Sequence, residues 1–269
     1  MMQASGHFNY IGHVEGEPLY YVDQHERTTL EFDAHDMPVH DIREFAVAPT
    51  LEREGFMAAK LPLDLKGERD IDAISAIYRP LMHDYMAELT GAKKIIVLRP
   101  MLRWSDLAPR PDVINSHPAR YVHCDWDNAT FRNRAEALLA DDPDRDHWLS
   151  GRFACVQTWR ALSAPPQDLP LAVIDRQSLV DEDKVHFTNV IGKPGDEARF
   201  GNFAFRHNPD HRWAYISDME ADDMLVFMGF DTAEAGKTGS PHSAFDYYRQ
   251  REGTVPRHSC ELRAFVFYG

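Results

Sequence analysis

From residue 152 onward the chain is built almost entirely of short strand-like runs, over 153–159, 171–175, 211–216, 224–230 and 259–268, with Pro, Gly and Asp between them. This constrains the fold more than anything else in the sequence, because strands must find hydrogen-bonding partners and a face to bury. Upstream the pattern changes. Ile71, Ile74, Ile77, Tyr78, Leu81, Tyr85 and Leu89 recur at spacings of three and four, which predicts an amphipathic helix stopped by Gly91. A charged segment over 66–72 leads into it, and residues 6–65 are mixed, with short strand-like pieces such as 19–22. Residues 94–104 read as a strand bent at Pro100, and 120–126 as another. Asp127, Asn128 and Thr130 are the candidate N-caps for a helix through Phe131, Ala135, Leu138 and Leu139. Helices first and strands later predict an α+β fold with a jelly-roll (cupin-like, double-stranded β-helix) core and flanking helices. One domain is expected over 1–269, with a helix-rich N-terminal part to about 92 and a strand-rich core from about 93. No glycine-rich turn follows a strand, so a dinucleotide or S-adenosylmethionine loop is not expected.

Within this frame, His123-Cys124-Asp125 places an imidazole and a carboxylate two residues apart, hence on one face of a strand. His242, in a short strand-like piece after the loop 236–241, supplies a second imidazole. Two His and one carboxylate on one side of a metal leave the opposite positions open, the arrangement of non-haem Fe(II) oxygenases. His207 and His211 compete for the third place, but His207 lies beside the turn signature Asn208-Pro209-Asp210. Arg257 and Ser259 share a strand face and together suit the far carboxylate of a 2-oxo acid. Arg263 has the same parity and competes as the clamp, whereas His258 has the opposite parity.

The formal net charge of -14 argues against nucleic-acid or anionic-membrane partners. Three separated cysteines without a CxxC pair read as reduced thiols. The N-terminus has neither a basic region nor an apolar run, and no stretch approaches the roughly 20 apolar residues of a membrane span. A cytoplasmic location is therefore expected.

The chain resembles the Fe(II)/2-oxoglutarate-dependent hydroxylase/desaturase family of AsaB or CmcJ type, which includes gibberellin desaturase-like proteins. The resemblance runs over most of the chain. It is carried by Phe8-Asn9-Tyr10, His40-Asp41-Ile42-Arg43, Val122-His123-Cys124-Asp125, Thr158-Trp159-Arg160, His211-Arg212-Trp213, His242-Ser243-Ala244-Phe245 and the run from Arg257 to Arg263. It implies Fe(II) on His123, Asp125 and His242, and 2-oxoglutarate on Arg257 and Ser259. It also implies O2 and a small-molecule substrate, hydroxylated or desaturated as the 2-oxo acid is converted to succinate. Tyr121, Trp126, Arg160 and Phe245 are the expected substrate-lining residues. For Arg160 and Arg99 the competing role is to bridge layers of the fold. Two other readings remain open at this level: a metal-dependent hydrolase or isomerase on the same barrel, and a non-catalytic small-molecule binding barrel. Neither needs a 2-oxo acid clamp.

Overall fold

Strands dominate from the first residues of the computed structural model, which describes residues 4–63, 65, 68–106, 117–234, 239–247 and 252–269. In chain order they are β1 (Ala4–Val14), β2 (Leu19–Tyr21), β3 (Leu30–Asp41) and β4 (Phe56–Lys60), then α1 (Ile71–Thr90), β5 (Lys94–Val97), β6 (Met101–Trp104) and β7 (His123–Cys124). Two helices follow, α2 (Asn128–Leu138) and α3 (Arg145–Ser150), and then β8 (Phe153–Ala161), β9 (Leu171–Ile174), β10 (Lys184–Lys193) and β11 (Asp196–Phe205). The last strands are β12 (Trp213–Tyr215), β13 (Asp223–Asp231), β14 (His242–Ala244), β15 (Asp246–Tyr247) and β16 (His258–Phe267). Residues 66, 67 and 236–238 of two expected segments lie outside the described residues.

The strands form two curled sheets of the jelly-roll type. The larger runs β15-β1-β3-β12-β9-β14-β7-β11-β10-β2, and the smaller runs β4-β13-β8-β16-β5 with β6 also on β16. The chain thus differs from the expected helix-rich start: four strands precede a single long helix. On β1, Gly6, Phe8 and Tyr10 turn inward while His7 and Asn9 lie between them, an alternation masked by small and polar residues. The β10–β11 hairpin was also not expected, although Pro194-Gly195 closes it as a two-residue turn with Gly195 at φ 90°.

The helices and the bent strand follow the sequence reading. Asp70 caps α1 by accepting from the Asp72 and Ala73 amides, and Gly91 ends it at φ 65°. Asp127 caps α2 through the Thr130 amide. The chain breaks at Pro100 into β5 and β6, both paired with β16.

Alternation along β16 defines two cores. Cys260, Leu262, Ala264 and Val266 face α1 and pack on Ile74, Tyr78, Met82 and Met86. On the other face, Phe265 and Phe267 meet Phe131 and Phe153. Between the two sheets lie Trp159, Leu171, Val173, Ala214, Leu225 and Phe227. No helix among the described residues is long and apolar enough to cross a membrane.

Arg160 belongs to the α1 side. It is fully buried there, with Nε donating to Tyr78 Oη at 3.1 Å and Nη1 to the Leu61 and Ala221 carbonyls at 3.1 and 3.2 Å. Its place as a substrate-lining residue is therefore corrected: on β8 the even positions face the helix, and it bridges layers. Arg99 pairs with Asp72 at the surface. Replacing Arg160 by Ala strands these acceptors and is expected to lower stability by about 2–4 kcal/mol in urea unfolding. A loss below about 0.5 kcal/mol, the range of neutral surface changes, would contradict the bridging role.

Candidate metal centre

Three short strands bring the site together. His242 on β14 is paired directly with His123 on β7 and, on its other side, with Val173 on β9. His123 also pairs with Ala204 on β11. Both histidines are nearly buried, at 5% exposure, and their rings lie 4.5 Å apart. Asp125 follows just beyond the end of β7, with Oδ2 3.8 Å from His242 Nε2. One donor atom from each of His123, Asp125 and His242 lies within 4.8 Å of the others, and these three residues could hold a metal ion.

Backbone carbonyls select the tautomers. His123 Nδ1 lies 2.8 Å from the Tyr121 carbonyl and His242 Nδ1 3.2 Å from the Ser240 carbonyl. A carbonyl only accepts, so each Nδ1 carries the proton and each Nε2 keeps its lone pair for a metal. Burial, reinforced by His242, presses the His123 pKa from 6.5 down to about 4, and burial lowers His242 as well. Both imidazoles are neutral at pH 7, the form that binds metal. Burial alone would raise Asp125, but Arg263 and the two imidazoles outweigh it and hold the carboxyl well below its ordinary range. Two neutral nitrogen donors and one carboxylate oxygen, converging and shielded, fit Fe(II).

A polar stripe runs along the inward face of β16: Arg257 just before the strand, then Ser259, Glu261 and Arg263. Arg257 is 2% exposed, and its guanidinium lies 4.9 Å above the Trp159 ring. Its Nε donates to Ser259 Oγ at 2.9 Å and its Nη1 to the Leu169 carbonyl at 2.7 Å. Leu169 sits at φ 43°, a left-handed conformation that is costly for a Leu and presents that carbonyl to Arg257. Burial, with Arg103 adding to it, presses the Arg257 pKa down to about 9, so it stays charged at neutral pH. Among the described residues no carboxylate forms an ion pair with it. Glu261 and Asp168 act on it only from outside ion-pair range, and a carboxylate ligand in direct contact would offset more of the cost of burying this cation.

Arg263 differs from its expected role as a rival clamp. Its Nη2 donates to Asp125 Oδ2 at 2.7 Å and it also pairs closely with Glu261, so its charge is already matched. Trp126 and Phe245 are corrected as substrate-lining residues. Trp126 turns to φ 61° and packs with Phe131 and Phe265 beneath Arg263. Phe245 lies three positions after His242, on the opposite face, where it stacks on Phe8. A Cβ on Gly6 would approach the Phe245 ring to 2.5 Å, so that strand must carry glycine there.

The Tyr121 ring lies 4.6 Å from that of His123 and close to Tyr20 and Phe32. His211 is bonded to Asp183 and Tyr10, and His207 stacks on His35. Neither of these histidines joins the triad. His258 faces outward and stacks on Trp104, as its parity predicted. Glu261 and Arg103 were given no role from the sequence, and Trp159 entered only as part of the Thr158-Trp159-Arg160 motif. The same parity count that found Arg257 and Ser259 also reaches Glu261.

The acid limb of stability follows from the buried imidazoles. His123 and His258 both have pKa values lowered to about 4, the latter by burial and Arg69. In the metal-free protein the unfolded chain therefore binds more protons than the folded one between about pH 6.5 and pH 4, so stability falls as pH drops through that window. The urea midpoint should decline steadily there, and less steeply in His258→Gln. A flat midpoint across the window would contradict these burial effects.

The chain matches the family model described as "Oxidoreductase/YMDC permease-like domain" over residues 8–267. It is similar to the hydroxylase/desaturase asaB of Aspergillus flavus, with 35% identity over 165 residues covering 56% of this chain and 69% of the relative. It is also similar to the Fe(II)/2-oxoglutarate-dependent dioxygenase nvfI of Aspergillus novofumigatus, with 26% identity covering 94% of this chain and 92% of the relative. In fold it matches a solved structure of the iron and alpha-ketoglutarate-dependent endoperoxidase NvfI, with a TM-score of 0.85 over 100% of this chain and 99% of that one at 22% identity. With nearly all its length matched and an asaB relative at this identity, the chain belongs to this oxidoreductase family, the one that contains the asaB-type hydroxylase/desaturases.

Proposed function

We propose that the protein is an Fe(II)/2-oxoglutarate-dependent dioxygenase that uses O2 to hydroxylate or desaturate a small-molecule secondary metabolite. The observation that carries this reading is Arg257, a buried cation with no carboxylate partner among the described residues, on the same barrel as the His123, Asp125 and His242 cluster. A hydrolase or a passive binding barrel has no use for it. A dicarboxylic co-substrate does, because one end can reach the metal while the other meets a matched charge.

His123, Asp125 and His242 would hold the iron, with the two Nδ1–H groups fixed on carbonyls so that the rings cannot turn away. When bound, iron supplies oxygen activation, coupled to decarboxylation of 2-oxoglutarate to succinate, and the removal of hydrogen from the substrate. The remaining tasks fall to the chain. Arg257 and Ser259 bind and orient the distal carboxylate, and Trp159 backs the guanidinium so that it stays over the barrel. Leu171, Val173 and Phe227 keep water from the inner wall. Tyr121, with Tyr20 and Phe32 behind it, forms an aromatic wall beside His123 for the substrate. All three cysteines are free and buried, which supports a reducing, cytoplasmic setting.

The test is succinate formation that requires Fe(II), O2 and 2-oxoglutarate together, with substrates drawn from a broad panel. Arg257→Met should raise KM for 2-oxoglutarate about 10–100-fold, the worth of a charge-assisted pair, with a smaller change in kcat. His242→Ala should lose iron binding. A folded, iron-loaded protein that makes no succinate across the panel would overturn the assignment, and turnover without oxygen uptake would favour a hydrolase.

A further inference from the structure

Two charged groups on the inward face of β16 have no task in the chemistry above. Glu261 and Arg263 follow Ser259 at every second position, and their side chains are only 8% and 13% exposed. Arg263 directs two donors at one oxygen of Asp125: Nη2 lies 2.7 Å and Nε 3.3 Å from Oδ2. Oδ1 receives no donor among the described residues. The same Nη2 also forms a close ion pair with Glu261 Oε1. Glu261 Oε2 in turn accepts from Arg103 Nε and Nη2, both at 3.4 Å, and Arg103 Nη1 donates to the His117 carbonyl at 2.9 Å. The face of Trp126 lies 5.4 Å from the Arg263 guanidinium carbon. Trp126 reaches that place only because the backbone takes φ 61° immediately after Asp125, with its amide held by Asn202 Oδ1 at 2.9 Å.

The geometry points to Glu261 and Arg263 as positioning residues that fix the orientation of the Asp125 carboxylate beside the imidazoles and leave its negative charge undiminished. This rests on the metal-site reading above and extends it to two side chains with no assigned role. A carboxylate is free to turn about Cβ–Cγ and to offer a metal both oxygens. Two donors on Oδ2, the oxygen that also lies 3.8 Å from His242 Nε2, fix that rotation and hold the carboxylate beside the imidazole. A lone arginine would do this at a cost, because its charge opposes a divalent cation and weakens the donor. Glu261 cancels that charge, and Arg103 in turn keeps Glu261 ionised inside the barrel. The four side chains Asp125, Arg263, Glu261 and Arg103 carry two negative and two positive charges, so the metal's own charge is not opposed by an excess of cations.

The test is a titration of the metal-free protein with Co(II), whose visible spectrum reports coordination number and geometry, in wild type, Glu261→Gln, Arg263→Lys, the double variant and Arg160→Ala. Glu261→Gln and Arg263→Lys should each weaken Co(II) binding about 10–100-fold and alter the bound spectrum. The double variant should lose little more than Arg263→Lys alone, because the two residues act in series. Arg160→Ala, a structural loss on the far face of the sheet, should leave affinity and spectrum unchanged. Should Glu261→Gln fail to fold, Arg263→Lys, which keeps the charge but not the two-pronged donor, decides the matter. Wild-type affinity and spectrum in a folded variant overturn the positioning role. Failure of wild type itself to bind Co(II) overturns the metal site on which the role depends.

Discussion

Charge inside the barrel has to be matched at short range, and β16 is where the matching happens. Its odd positions send an alcohol, a carboxylate and a guanidinium inward, with Arg257 just ahead of them, while its even positions give α1 an all-apolar seat. One strand thus divides a mostly apolar core, which Arg160 of β8 enters with a charge, from one that begins charged and ends in Phe265 and Phe267. Period-two alternation is enough to do this, because neighbouring side chains on a strand never share an environment. The flanking strands follow the same division. Trp159 is inward under Arg257 while Arg160, next to it, is outward against Tyr78.

The electrostatics of the site follow from that division. Asp125 stays ionised in spite of burial because Arg263 lies against it, and Glu261 does so because Arg263 and Arg103 flank it. The imidazoles stay neutral because burial outweighs the carboxylates near them. Each group is therefore in the protonation state that a metal needs at pH 7 before any metal arrives. Arg257 stands apart from this balance: its guanidinium meets a hydroxyl and a carbonyl directly, and Glu261 and Asp168 only outside ion-pair range among the described residues. That imbalance separates a co-substrate pocket from a plain metal cage.

Much of this was legible in the sequence where a single strand carried it. His123 and Asp125, or Arg257 and Ser259, are two residues apart, and that spacing alone puts them on one face. The pairing of His242 with His123 was reachable only through motif order, because nothing local says which strands will be neighbours. The substrate wall was misread for the same reason. Arg160 and Phe245 are near the right residues in sequence, but one lies on the opposite parity and the other three positions beyond His242. The early strands β1 and β3 were hidden because their outward faces carry His, Asp and Asn and their inward faces include Gly6. Glu261 was hidden by habit rather than physics, since a buried acid on a clamp strand is legible once its neighbours are counted.

Cys155 lies on β8 next to this cluster, paired across the ladder with Phe265 and close enough to Arg263 and Asp125 to feel their charges. Burial pushes its pKa far above that of an ordinary thiol, and the Arg263 charge offsets only part of that rise. The consequence concerns durability. The thiolate is the form that oxidants attack and that soft metals capture. An inward sulfur held as the thiol by burial is therefore a poor nucleophile and a poor ligand beside the metal-binding cluster.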